Sequence, residues 1–141
     1  MREILFRGRR KKGDKRWVEG SLTCGYAGYV GIMVWCCAGT SFEVAPETVG
    51  QFTGLTDKNG KKIFEGDILC VEQRGETGSR ICPVYFGEYI DADSVFDDYR
   101  CIGFYVKTPD GCGNIGFLLD DEFEYEVIGN IYDNPELLKG V

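Results

Sequence analysis

Two tight turns within residues 51–69, QFTGLTDKNGKKIFEGDIL, constrain the fold of this chain more than any other feature. Asp57-Lys58-Asn59-Gly60 is typical of a β-hairpin turn, because the aspartate can accept backbone N–H groups and Asn-Gly tolerates the left-handed backbone region. Glu65-Gly66-Asp67 predicts a second turn, and an apolar strand begins directly after it. A Gly-Asp turn before such a strand is common in small SH3-like barrels.

Alternating apolar and polar residues predict further strands along the chain. Residues 17–24, WVEGSLTC, alternate in the way of a half-buried antiparallel strand, and residues 3–7 predict the strand that pairs with it across a charged turn. Residues 29–37 are more continuously apolar and predict a central strand that is buried on both faces. The remaining predicted strands are residues 41–44, 68–71, 80–89, 101–108, 115–119 and 124–132.

Prolines refine this prediction at three places. Pro83 argues that the strand over residues 80–89 is an edge strand or carries a bulge, because proline has no N–H group to donate. Pro109-Asp110-Gly111 predicts the turn of a hairpin between residues 101–108 and 115–119. Asn134-Pro135 predicts an N-cap and first position for a single helical turn over residues 134–138.

These elements predict a mainly β protein, a small antiparallel barrel or roll of SH3-like type with a short C-terminal helical turn. A length of 141 residues suits one compact domain, so we expect a single β domain over residues 1–141. Two small subdomains that share a core are the alternative.

Composition excludes several classes of chemistry and predicts a reducing compartment. The chain has no histidine, which removes histidine general bases, Ser-His-Asp and Cys-His arrangements and histidine-ligated metals. No Cys-x-x-Cys motif is present, and an odd number of cysteines cannot pair fully. The charged N-terminal residues have no signal-peptide core, so we expect a cytoplasmic protein with most of its cysteines buried as free thiols. The cysteines are Cys24, Cys36, Cys37, Cys70, Cys82, Cys101 and Cys112.

Positive charge is concentrated at the N-terminus of a chain whose net charge is −7. Eight Lys or Arg side chains lie within residues 1–16, and Trp17 follows them as a stacking surface. This basic hairpin could contact phosphates, but a solvated hairpin tip is the simpler interpretation, because the acidic molecule repels nucleic acid. The candidate nucleic-acid contacts are Arg7, Arg9, Arg10, Lys11, Lys12, Lys15, Arg16 and Trp17.

Acidic side chains suggest two metal sites, and neither pattern is complete. The acidic connection between predicted strands, Asp91, Asp93, Asp97 and Asp98, lacks the glycine and spacing of a calcium loop, and we expect it to be a polar connection. It could also mimic DNA phosphates. Asp110 followed by Asp120-Asp121-Glu122 is similar to a metal-dependent nuclease layout, but the expected catalytic lysine is absent. A cysteine nucleophile would have no histidine base.

Aromatic side chains are frequent and offer a third kind of candidate. We expect most of them to pack in the core, with a binding groove or a subunit interface as the alternative. The residues are Trp17, Trp35, Tyr85, Phe86, Phe104, Tyr105, Phe117, Phe123 and Tyr125.

Three separated motifs resemble the YopX family of phage and prophage proteins. They are MREILFR at the start, TGLTDKNGKKIFEGDI in the middle and VIGNIYDNPELL at the end. The resemblance implies a phage or prophage protein, mostly β with SH3-like topology, in the cytoplasm of a bacterial host. It supplies no catalytic residue. This chain departs from the family in the longer charged turn that follows its first motif.

The sequence thus favours a non-enzymatic binding or regulatory module that acts through protein–protein contacts. An unidentified protein, including a second copy of the chain, is the expected partner. The alternative is a nucleic-acid-binding accessory protein that uses the basic hairpin. We expect no catalytic residue, cofactor, metal or membrane partner.

Overall fold

The structure, a computed structural model, describes residues 2–34 and 39–139. Strands joined by tight turns and short 3-10 turns make up these ranges, and none of their helical turns is long or apolar enough to cross a membrane. The strands are β1 (Phe6–Arg9), β2 (Trp17–Cys24), β3 (Val30–Val34), β4 (Thr40–Glu43), β5 (Gly50–Thr56), β6 (Lys62–Phe64), β7 (Asp67–Gln73), β8 (Ser79–Ile90), β9 (Arg100–Thr108), β10 (Gly111–Asn114) and β11 (Phe123–Asn130).

The chain divides into two compact units, Met1–Gly54 and Leu55–Val141. In the first unit the strands form an antiparallel sheet in the order β4-β3-β2-β1-β5. Its core consists of the buried side chains of Val18, Ile32 and Val44, which come from three different segments. The prediction of one domain over residues 1–141 stays a prediction.

Alternation in the sequence located β2 well, but the predicted strand over residues 3–7 overlaps β1 (Phe6–Arg9) only at residues 6–7. Strand β2 has the predicted bounds, with Val18 buried and Glu19 exposed on the opposite face. Strand β3 is central in the sheet, as predicted, and Ile32 is fully buried in it. The predicted continuation of this strand through residues 35–37, which includes Trp35 and Cys36, lies outside the described residues.

The second unit contains an antiparallel sheet in the order β10-β9-β8-β7-β11. Strand β5 runs past Gly54 into this unit, where β6 pairs with it across the turn at residues 57–61. The core of the unit is built from apolar side chains of β6 to β9, the 3-10 turn Ile115–Leu119 and β11. The buried members are Ile63, Leu69, Val71, Cys82, Val84, Val106, Ile115, Leu118 and Val127.

Strand β8 is longer than its neighbours and changes partners along its length. Residues 79–83 pair with β7, and residues 84–90 pair with β9. Pro83 lies where one pairing ends, which is a position that tolerates a missing N–H group. The predicted edge strand is therefore wrong, because β8 lies inside the sheet, but the proline does mark an interruption in its pairing.

Three details of the predicted fold are corrected. Neither sheet closes into a barrel within the described ranges, since β11 is an edge strand whose outer side is met by a turn. Strand β9 pairs with β10 (Gly111–Asn114), not with residues 115–119, which form a 3-10 turn. The C-terminal turn Pro135–Leu138 is also 3-10, and the Asn134 side chain does not cap it but accepts the N–H of Asn130.

Candidate functional site

The aspartate of the first signature turn joins two distant parts of the second unit. Oδ1 of Asp57 accepts hydrogen bonds from the backbone N–H groups of Asn59 and Lys61, both at 2.9 Å. Oδ2 accepts the N–H of Val127 on β11 at 3.0 Å. The Lys58 N–H donates to the carbonyl of Tyr125, at 3.1 Å. The turn therefore covers the outer side of an edge strand that would otherwise expose its backbone groups.

These contacts also change the acidity of the carboxyl group. Burial by itself would raise the pKa of Asp57, but the N–H groups of Val127, Lys61 and Asn59, with the nearby charge of Lys61, hold it below its ordinary value. Hydrogen bonds to the ionised form stabilise that form. Both oxygens of this carboxylate accept backbone N–H groups, which makes Asp57 a structural residue.

The second signature turn is linked to the third motif in a similar way. Asp67 is buried, and its Oδ2 accepts the N–H of Phe64 at 2.8 Å. The carbonyl of Gly66 accepts the N–H of Ile131 at 2.8 Å. Asn130 Oδ1 accepts the N–H of Tyr132 at 3.0 Å and forms a turn after β11. Asp57, Asp67 and Asn130 are thus used within the fold.

Side chains of the basic hairpin make more contacts within the first unit than the sequence indicated. Arg7 is only 8% exposed, and its guanidinium lies 4.8 Å from the centre of the Trp17 ring. Arg9 approaches the same ring at 6.0 Å, and Arg10 lies over Phe42 at 4.8 Å. A cation over an aromatic face is stabilised by the ring quadrupole. Arg7 is therefore not placed to contact phosphates, and Trp17 stacks on arginine.

Acidic neighbours offset part of the remaining charge of this hairpin. Asp14 pairs with Arg10 at 3.2 Å and with Arg16 at 3.8 Å. Lys11 pairs with Glu43 at 3.8 Å. Lys12 and Lys15 are exposed, as are Lys11 and Arg16. Four exposed cations therefore remain on this surface from the eight predicted contact residues.

The acidic candidates do not converge on a metal site. Among the described residues, no group of three or more His, Cys, Asp or Glu side chains could hold a metal ion. Asp110 pairs with Arg80 at 3.7 Å, and Oδ1 of Asp120 accepts the N–H of Glu122 at 3.2 Å. The nuclease-like arrangement is therefore not assembled in the described part of the chain.

A cleft of about 320 Å³ lies beside β10 in the second unit. Val106, Phe117 and Phe123 supply its apolar wall, while Arg80 and Asp110 stand at its polar side. Its volume is at the lower end of ordinary small-molecule sites. Arg80 and Asp110 are paired with each other, and Gln73, Asp93 and Thr108 are further polar residues of the lining.

The five described cysteines are free thiols, but they are less buried than predicted. Cys24 is exposed at the end of β2, and only Cys82 is fully buried. Burial raises the pKa of the Cys82 thiol to about 11. The expectation that most cysteines are buried is therefore wrong for the described ones, since Cys70, Cys101 and Cys112 are partly exposed.

Four of the eight described aromatic candidates pack beside the core, so the prediction that most of them do is not confirmed. Phe104, Phe117, Phe123 and Tyr125 contact the core of the second unit. Tyr85 and Tyr105 lie on the opposite face of the sheet, with ring centres 5.6 Å apart. Phe86 is on the same face of the sheet as Val84 and Phe104, but it is exposed.

An apolar stripe continues along β8 and β9 beyond the core. Val84 and Val106 face each other at its inner end and are fully buried. Next along this face come Phe86 and Phe104, whose rings meet edge to face at 4.9 Å. Exposure then rises outward, to 51% at Phe86 and 80% at Ile102. We call the outer part, Phe86, Glu88, Ile90, Arg100 and Ile102, the hairpin surface.

The opposite face of the hairpin is also aromatic. Tyr89 stacks on Tyr105 there at 4.7 Å, although Tyr89 pairs with Cys101, four residues away along β9. Gly87 and Gly103 lie directly opposite each other between these two tyrosines and have no side chains to separate the rings.

The fold and these surfaces define a mainly β protein whose sequence motifs hold its own turns together. The family model described as YopX protein matches residues 6–139 of the 141-residue chain. The chain therefore belongs to the YopX family, and this membership suggests a phage-type protein. No curated protein matches the chain.

Proposed function

We propose that this protein is a non-enzymatic binding or regulatory module that acts by protein–protein contacts through the hairpin surface. The observation that carries the proposal is the apolar stripe on β8 and β9, buried at Val84 and exposed at Ile102. A second protein is the occupant that would cover the exposed end of this stripe.

The size of the exposed apolar surface supports a protein partner. On the hairpin surface, Phe86, Ile90 and Ile102 are 51%, 50% and 80% exposed. Exposed apolar patches on monomeric proteins often mark binding sites.

The alternative is nucleic-acid binding by the basic hairpin. The exposed Lys11, Lys12, Lys15 and Arg16 support it. Against it, Arg7 is buried and Asp14 lies between Arg10 and Arg16. We therefore keep it as the second candidate.

Two finer points belong to the same proposal. We place the protein in the cytoplasm of a bacterial host, since the described cysteines are free thiols and the family is phage-type. We also retain an SH3-like relationship of the strand topology as a prediction, which superposition of an experimental structure on SH3 domains would test.

The test removes the apolar character of the hairpin surface without disturbing the core. The variant Phe86→Ser/Ile102→Ser changes two exposed side chains, and Leu119→Ser is the matched control because Leu119 is exposed outside the hairpin. Proteins captured from bacterial extract by the unmodified chain are purified and titrated directly by calorimetry. We expect a complex that weakens at least tenfold in the double variant and is unchanged in the control.

Two results would overturn the proposal. One is that no purified protein forms a direct complex with the chain. The other is that Leu119→Ser weakens the complex as much as the hairpin variant does, which would place the contact elsewhere.

A further inference from the structure

The loop at the end of the hairpin, residues 91–99, combines exposed apolar side chains with negative charge. We call it the tip loop. Val95 is 91% exposed and Phe96 is 68% exposed, and Tyr99 follows with its ring centre 6.2 Å from that of Phe96. The loop also contains four aspartates and no lysine or arginine, in the order DADSVFDDY.

Local hydrogen bonds hold this loop in one shape. The N–H of Asp91 donates to the carbonyl of Tyr99 at 3.0 Å and closes the base of the loop. Oδ1 of Asp91 accepts the N–H of Asp93, and Oγ of Ser94 accepts the N–H of Phe96 at 3.1 Å. Val95 and Phe96 are thus presented by an ordered turn, and a partner need not order the backbone to bind them.

The charges along the hairpin are divided between its two parts. On the hairpin surface, Glu88 pairs with Arg100 at 3.1 Å, so that part is locally neutral. The tip loop keeps its four negative charges beside the apolar side chains. A partner that covers Val95 and Phe96 must therefore also take aspartates out of water, which is costly unless they meet positive charge.

We propose that the hairpin binds another protein in a groove that has an apolar floor and a margin of lysine and arginine side chains. This rests on the function proposed above and names the chemistry of the partner. A second copy of the chain fits poorly, because two tip loops would bring like charges together and each molecule carries −7.

Labelled peptides of defined composition test this chemistry by fluorescence anisotropy. The probe is an 18-residue amphipathic helix of leucine and lysine, and the controls are a leucine–glutamate peptide and a serine–lysine peptide of the same length. We expect the leucine–lysine peptide to bind at least tenfold more tightly than either control. Its affinity should fall as salt is raised.

Variants of the chain separate the tip loop from the overall negative charge. Asp97→Asn/Asp98→Asn removes two charges from the tip loop, and asparagine suits the left-handed backbone of Asp98, at φ 56°. Asp120→Asn/Asp121→Asn makes the same change of charge at exposed positions outside the hairpin. We expect at least a fivefold loss of peptide affinity for the first pair, a similar loss for Val95→Ser/Phe96→Ser, and none for the second pair.

Three outcomes would overturn the inference. Equal losses for the two asparagine pairs would show an effect of net charge alone. Equal binding of the serine–lysine peptide would exclude an apolar floor. A concentration-dependent dimer that Phe96→Ser abolishes, seen by light scattering, would make a second copy the occupant.

The experiments test the proposed function and the proposed chemistry of the partner independently. If the captured partner depends on Phe86 and Ile102 but is unaffected by Asp97→Asn/Asp98→Asn, the protein–protein function stands and the basic margin is wrong. If the partner depends on both sets of residues, both proposals are supported.

Discussion

The carboxylate of Asp57 accepts the backbone N–H of Val127, 70 residues later in the chain, at 3.0 Å. This bond fastens the turn between β5 and β6 to the outer side of β11. It joins the middle motif of the family to the motif at the C-terminal end. The motifs are therefore one structural feature of the second unit, and the surfaces available for binding lie elsewhere.

Replacement of Asp57 by asparagine should destabilise the protein. Asparagine keeps one acceptor oxygen, but its NH₂ group cannot accept the N–H groups that the aspartate satisfies. We expect a loss of about 1–3 kcal/mol in the free energy of unfolding, measured by urea denaturation. Asp121→Asn, at an exposed position, is the matched control and should change stability little. Equal effects of the two variants would argue against the bond to Val127.

The stabilisation by Asp57 should depend on pH. Its pKa is lowered in the folded protein, so folding favours the ionised form. The contribution is fully present above the unfolded-state pKa of about 3.9 and is lost as the pH falls through the lower folded-state value. The difference in stability between the unmodified protein and Asp57→Asn should therefore be constant from pH 7 to about 5 and shrink below about 4. A difference that grows on acidification would contradict this sign.

Gly60 should tolerate asparagine far better than valine. Its φ is +79°, and no atom lies within 4 Å of the position that a Cβ would take. The cost of substitution is thus backbone strain and not collision. Gly60→Val should lose about 1–3 kcal/mol, because β-branched residues resist this region, and Gly60→Asn should lose much less. Equal denaturation midpoints for the two variants would show that the turn adopts another conformation in solution.

The cysteines should react in an order set by burial. All seven should titrate as thiols in denatured, reduced protein. Among the five described cysteines of the native protein, Cys24 should react first, and Cys82 should react last because burial raises its pKa to about 11. Alkylation followed by peptide mass spectrometry measures the order. A stable internal disulfide, or Cys82 reacting as fast as Cys24, would contradict the described environments.

Nucleic-acid binding should be weak and non-specific. We expect no affinity tighter than the ordinary non-specific range of about 10⁻⁴ to 10⁻⁶ M at physiological salt, measured by anisotropy with labelled DNA and RNA. Neutralisation of Arg9, Arg10, Lys11 and Lys12 together should change this little. A salt-sensitive nanomolar complex that disappears in the fourfold variant would make the basic hairpin the functional surface.

The sequence alone predicted local structure correctly where the pattern of residues is compatible with one conformation only. Strand β2 followed from alternation, and the Asp57–Gly60 turn followed from a carboxylate acceptor and a glycine with positive φ. The absence of histidine is likewise a property of composition and needs no coordinates. The pattern could not separate residues 115–119 from a strand, because a short apolar run is consistent with either a strand or a buried turn.

Only the tertiary structure decided which surfaces are open. Arg7 and Arg16 look alike in the sequence, but one is buried over Trp17 and the other is exposed. Phe86 and Phe104 belong to similar strand patterns, but their exposure depends on where the core ends. Whether a side chain is buried, and whether the edge of a strand is paired, depends on segments that are far apart in the chain. Periodicity reports which residues share a face, and it contains no information on what, if anything, covers that face.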